Sequence, residues 1–261
     1  MTGKEAFGDL GYHLEEAVLS ASELEQLRAV VEAVADRVAT RARREGAGPE
    51  GRLGDGHRIQ FSSRAAIQWE WADGSEAIRL IEPTDHLDPC IDELFRDPRL
   101  TRPAAAALHT DTLGPFTSKL NLKRPREGSE FPWHQDFPYW YVAAGEAAAD
   151  IVTAILFLDD ATAANGAVRV IPGSHRGGPA PRDPNDPTRF LADPTRLDVA
   201  SEVVVEVPAG SVLWFGAYLV HCSSPNRSGE QRRALLPSWQ PAGRPRLHDL
   251  SYVPEKVEDL P

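Results

Sequence analysis

The chain has 261 residues and a net charge of −11, from 28 Lys and Arg against 39 Asp and Glu. That balance argues against a nucleic-acid partner, which would need Lys and Arg to neutralise phosphates, and against a surface built for anionic lipid. No apolar run approaches the roughly 20 residues that span a bilayer, and two cysteines, Cys90 and Cys222, build no disulfide framework and no CxxC pair, which fits a reducing cytoplasm.

Met1-Thr2-Gly3-Lys4-Glu5 leads into Gly8-Asp9-Leu10-Gly11 and not into an apolar segment, so no secretory signal is expected. Ser22-Glu23-Leu24-Glu25 reads as a capping box, and Leu24, Leu27, Val31, Val34 and Val38 recur at helical spacing. Together they predict a helix over about 22–44, ended by Gly46-Ala47-Gly48-Pro49. Asp88-Pro89 is an N-cap with a proline at the first helical position, so a second helix starts there. A short Ala-rich helix fits 103–109.

From Phe116 the period changes. Thr117, Lys119, Asn121 and Lys123 alternate with Ser118, Leu120 and Leu122, as in a strand. Further strands are expected at 151–158, at 167–171 after the Asn165-Gly166 turn, at 203–207, at 212–215 and at 233–239. Residues 177–198, rich in Pro, Asp and Arg, read as a long loop and a candidate lid. Helices precede strands, so the class is α+β, a single domain with a helical part over about 1–115, a β core over about 116–240 and a C-terminal tail.

The chemistry centres on Phe131-Pro132-Trp133-His134-Gln135-Asp136-Phe137. On a strand, residues two apart share a face, so His134 and Asp136 can meet one metal ion. His86-Leu87-Asp88 and His109-Thr110-Asp111 have the same spacing. Asp88, however, is explained as an N-cap, and His109 as a residue meeting terminal helix carbonyls. Only the His134 pair precedes a second compatible element, His221, which closes a strand 85 positions beyond Asp136 and is followed eleven residues later by Arg232. Two His and one carboxylate form a facial triad that leaves three positions on Fe(II) open. A 2-oxo acid can fill two and dioxygen the third, while an arginine grips the distal carboxylate of the acid. Strand alternation puts Arg232 and its neighbour Arg233 on opposite faces.

These segments, with Lys119-Leu120-Asn121-Leu122-Lys123, Ile171-Pro172-Gly173-Ser174-His175 and His221-Cys222-Ser223, resemble the phytanoyl-CoA dioxygenase family over most of the chain. In its middle, through the HQD segment and Trp140, the chain resembles ectoine hydroxylases. The resemblance implies a double-stranded β-helix (jelly roll, cupin-like) core with buttressing N-terminal helices, and iron held by His134, Asp136 and His221. It implies 2-oxoglutarate contacts from Arg232, Ser223, Asn121, Thr117 and Phe131, with dioxygen as the other cosubstrate. The activity implied is hydroxylation of an unactivated C–H bond of a small molecule, with succinate and carbon dioxide released. Related halogenases lack a carboxylate at the position of Asp136, so its presence favours hydroxylation. Thr117 departs from the longer amide of ectoine hydroxylases.

Trp140 and Trp133 are candidates for the substrate pocket, against core or rim packing. His175 reads as a structural or surface residue, and Cys222 as a small buried hydrophobe facing away from the site. Two other readings stand beside the oxygenase. One is a cupin-like metal isomerase or lyase, which has no need of Arg232; the other is a non-catalytic jelly roll, which needs neither metal nor Arg232.

Overall fold

Helix α1 (Gly3–Leu10) and strand β1 (Tyr12–Glu15) lead to the long helix α2 (Ala21–Glu45). This is a computed structural model, and it describes residues 3–45, 50–53, 56–61, 65–70, 76–186, 188 and 190–249. The capping box of α2 lies two residues before the expected one. The Glu23 backbone N–H donates to Ser20 Oγ at 3.3 Å, and the Ser20 N–H donates to the Glu23 carboxylate at 2.8 Å. Leu24, Leu27, Val31, Val34 and Val38 are all buried, as their spacing requires. The expected stop at Gly46-Ala47-Gly48-Pro49 lies outside the described residues.

The segment before residue 115 is not purely helical. Strands β2 (Glu50–Arg52), β3 (Arg58–Phe61), β4 (Ala66–Trp69) and β5 (Ile78–Glu82) form an antiparallel ladder there. Strands of three to five residues are too short to display a period of two against their polar surroundings. Two short helices follow, α3 (Pro89–Glu93) and α4 (Pro98–Ala107). Asp88 caps the first through the Cys90 N–H, and Asp97 caps the second through the Arg99 N–H. The Asp-Pro signal thus occurs twice, and α4 begins five residues before the expected start, with Pro103 inside it.

The rest of the chain forms β6 (Leu113–Lys123), β7 (Phe131–His134), α5 (Asp136–Ala144), β8 (Val152–Phe157), β9 (Val168–Val170), β10 (Val203–Val204), β11 (Val212–Gly216), β12 (His221–Ser223) and β13 (Arg232–Pro241). The large sheet runs β1-β11-β8-β13-β6-β5-β4-β3-β2, the small one β10-β9-β12-β7, and the paired strands are antiparallel.

Alternation along the central strands of the large sheet sorts its two faces. Leu120, Leu122, Ala154, Leu156, Trp214 and Leu235 pack against α2 and α4. Ile155, Phe157, Leu213, Phe215, Ala234 and Leu236 pack against Val168 and Val170 of the small sheet. The layers are therefore helices, large sheet, small sheet. Gly166, at φ +83°, makes the turn before β9 possible: a Cβ there would lie 2.3 Å from Ser224 O.

Candidate metal centre

His134 closes β7, and Asp136 opens α5 instead of continuing the strand. The run after His134 turns helical because Pro138 falls in the first turn, where a missing N–H leaves no hydrogen bond unmade. Phe137, Trp140 and Val142 are buried along this helix. Extended Gln135 (φ −117°, ψ 150°) joins the two elements, so both functional side chains reach one site although the strand ends between them. His221 opens β12, where the strand-closing position was expected. It is the register partner of His134, with ring centroids 4.2 Å apart.

One donor atom from each of His134, Asp136 and His221 lies within 4.8 Å of the others, and among the described residues this is the one such cluster of three or more His, Cys, Asp or Glu. His134 Nδ1 is 2.7 Å from Pro132 O, and His221 Nδ1 is 3.0 Å from Leu219 O. A carbonyl only accepts, so each Nδ1 carries the hydrogen and each Nε2 keeps its lone pair for a metal. Burial, and then the neighbouring His221, pushes His134 down to about 3. Burial likewise lowers His221. For Asp136 burial acts upward, but Lys119 and the two imidazoles outweigh it and hold the carboxyl below its ordinary range. At neutral pH the cluster is two neutral imidazoles and one carboxylate, the protonation state that a metal requires.

A cavity of about 70 Å³ adjoins the three residues. Arg232, Asn121, Phe131 and Ser223, all expected near 2-oxoglutarate, line it. Arg232 is buried with no partner for its Nε, and Asn121 Oδ1 is likewise buried and unbonded. Burial lowers Arg232 to about 10, so it remains charged at neutral pH. Arg233 points to the helix side and pairs with Asp159 and Glu32, as alternation predicts.

Other expected residues are placed differently. Thr117 is not among the lining residues: its hydroxyl donates to Glu82 Oε1 at 2.8 Å. Trp140 packs against Phe116 and Phe137, and Trp133 lies on the far side of β7 from His134, with Arg169 5.4 Å over its ring; neither lines the cavity. Cys222, expected to face away, borders the cavity, and burial pushes its thiol up to about 12. His175 sits apart, its Nε2 3.3 Å from Gly8 O. A larger hollow of about 600 Å³ beside α1 and α4 holds none of the three clustered residues.

Two lysines escaped the sequence reading. Lys119 lines the cavity 3.5 Å from Asp136. Buried Lys123 donates to Ser223 Oγ at 2.9 Å and also to Ser224 O. Both share the strand face of Asn121, so the period of two already placed them there.

The family model described as phytanoyl-CoA dioxygenase (PhyH) matches residues 7–234. An L-proline trans-4-hydroxylase of Streptomyces griseoviridis is 32% identical over 186 residues, covering 63% of this chain and 68% of that one. An ectoine dioxygenase of Bordetella parapertussis is 32% identical over 169 residues, 59% of this chain; the chain spans about half of that relative, 54% of its length. Among solved structures, EctD from S. alaskensis with 2-oxoglutarate and 5-hydroxyectoine superposes with a TM-score of 0.68 at 25% identity, over 91% of this chain and 74% of that one.

Proposed function

The chain belongs to the phytanoyl-CoA dioxygenase family and is an iron(II)- and 2-oxoglutarate-dependent dioxygenase; on that premise we propose that it hydroxylates an unactivated C–H bond of a small metabolite, releasing succinate and carbon dioxide. The observation that carries this reading is one cavity with two imidazoles and a carboxylate at its edge and a buried, unpaired arginine in its wall.

The residues fit the metal. Two nitrogens and one oxygen suit Fe(II), and the backbone carbonyls at both Nδ1 atoms orient the rings. His134, Asp136 and His221 would hold it. Bound iron and 2-oxoglutarate supply the oxidising chemistry, in which dioxygen is consumed and the cosubstrate becomes succinate and carbon dioxide. The chain supplies orientation and shelter. Arg232 receives the distal carboxylate of the cosubstrate, with Ser223, Asn121 and Phe131 beside it, and Leu80, Ile155, Val168, Phe215 and Leu236 keep the walls apolar.

The relatives named for L-proline and ectoine support an amino-acid-derived substrate. The facing sheets support reading the core as a double-stranded β-helix and the chain as one catalytic domain. Two free cysteines, and no helix among the described residues long and apolar enough to cross a membrane, accord with a cytoplasmic placement.

The test is anaerobic titration with Fe(II) and then 2-oxoglutarate, followed by a metabolite screen read as succinate release and product mass. Wild type should bind both, and a substrate should gain one oxygen atom. His134→Ala or His221→Ala should lose most Fe(II) binding, whereas His109→Ala should not. Turnover without 2-oxoglutarate consumption would favour the isomerase or lyase reading.

A further inference from the structure

The three clustered donors all come from one side of the cavity. His134 and His221 belong to the small sheet, and Asp136 to the helix that follows β7. Lys119 comes from β6 in the opposite sheet, and its Nζ lies 3.5 Å from Asp136 Oδ1. Among the described residues no hydrogen bond reaches Asp136 Oδ2. The other side of the ammonium faces Trp140, 5.2 Å from the ring centroid. Trp140 is itself wedged edge-on against buried Phe116, with centroids 5.5 Å apart. A line of contacts thus runs Phe116–Trp140–Lys119–Asp136.

A buried carboxylate that gives one oxygen to a metal must still satisfy the other, because desolvated charge without a partner is costly. The aspartate side chain also has rotamers that would turn it away from the imidazoles. A cation fixed from the opposite sheet meets both needs, and the aromatic face behind Lys119 limits the retreat of its ammonium.

Resting on the reading of Asp136 as a metal ligand, we infer that Lys119 is a positioning residue for that ligand. From the large sheet it occupies one carboxylate oxygen and turns the other toward His134 and His221. Trp140, expected in the substrate pocket, serves instead as the backing of Lys119.

The test is anaerobic Fe(II) titration of purified wild type, Lys119→Met and Lys119→Arg, with folding followed by thermal melts. Lys119→Met should bind Fe(II) roughly 10- to 100-fold more weakly, the usual effect of losing a group that orients a ligand. Lys119→Arg keeps the charge and donors and should recover most of the affinity. A folded Lys119→Met that melts earlier but binds Fe(II) as wild type does would show a merely structural role and overturn the inference. Wild type that binds no Fe(II) would instead sink the metal reading itself. Should Lys119→Met not fold, a crystal structure of Fe(II)-loaded wild type decides. Lys119 Nζ on the non-ligating oxygen of Asp136 is expected; both oxygens on the metal, or Lys119 turned away, would overturn the assignment.

Discussion

Arg232 faces the cavity with its Nε unpaired, while Arg233 gives its guanidinium to Asp159 and Glu32 on the helix side. Losing a charge-assisted contact removes about 1.5–3 kcal/mol, so Arg232→Ala should weaken 2-oxoglutarate binding roughly 10- to 150-fold and leave Fe(II) binding in place. Calorimetric titration reads both. Arg233→Ala should show the reverse, with unchanged cosubstrate affinity and a lower melting temperature. Lys123 adds a pH signature. Burial, and then the charges of Arg232 and Arg79, lower its ammonium to about 6, so it is largely neutral at pH 7.5. The unfolded chain binds that proton up to the ordinary lysine range, so this group makes stability rise with pH from about 6 upward and contributes no slope well below that. A dicarboxylate arriving at Arg232 brings negative charge beside Lys123 and favours its protonated form. Binding of 2-oxoglutarate at pH 7.5 should therefore take up protons, measured by calorimetry in buffers of different ionisation enthalpy. Lys123→Met should bind without that uptake, and equal uptake in both proteins would rule Lys123 out as its source.

At the scale of elements, the loop after β9 is tied to β7 by backbone and side-chain bonds. Gln135 donates from Nε2 to Gly178 O at 3.0 Å and to Tyr218 O at 2.6 Å, and accepts from the Ala180 N–H at 2.7 Å. The Ala192 N–H donates to Trp133 O, and Phe190 packs on Tyr139, whose ring stands edge-on to His134. Gln135→Ala should speed hydrogen exchange at Ala180, whose N–H loses its acceptor, while Fe(II) still binds. Unchanged exchange in mass-spectrometric analysis would show that the other contacts suffice. The same region shows what the sequence discloses. The clustering of His134, Asp136 and His221 was legible from donor chemistry and spacing, although Asp136 lies past the end of the strand, and the cavity-facing side of Arg232 was legible from strand period. Helix α5 was not, since Phe137, Tyr139, Trp140 and Tyr141 favour strand by composition, while Pro138 and burial against Phe116 and Ala217 decide for helix. The bond of Thr117 to Glu82 was illegible for a related reason. Period predicts which face Thr117 shares with Lys119, but only the fold brings Glu82 to its hydroxyl.

For the whole molecule, the two sheets divide the site. The clustered His134, Asp136 and His221 stand with the small sheet; Arg232, Asn121 and Lys119 stand on the large one, buttressed from behind by α2 and α4. A ligand that binds only the folded form stabilises it by about 2.7 kcal/mol at a hundredfold excess over its dissociation constant. For a chain of this size that is a rise in melting temperature of roughly 5–10 °C. Anaerobic scans with Fe(II) and 2-oxoglutarate should show this shift, chelator should reverse it, and a His134→Ala, His221→Ala double variant should show none.

His134 and His221 stand 87 positions apart in the chain, yet face each other across neighbouring strands. An ion held by both would be a cross-link, with the topology of a disulfide that closes a loop of that length, a constraint worth about 4–5 kcal/mol in the chain-entropy description. Both cysteines are free, so in this chain iron would fill the role that sulfur fills in secreted proteins. Unlike a disulfide, this cross-link can be withdrawn by a chelator, so the protein's resistance to proteolysis should follow the iron available to it.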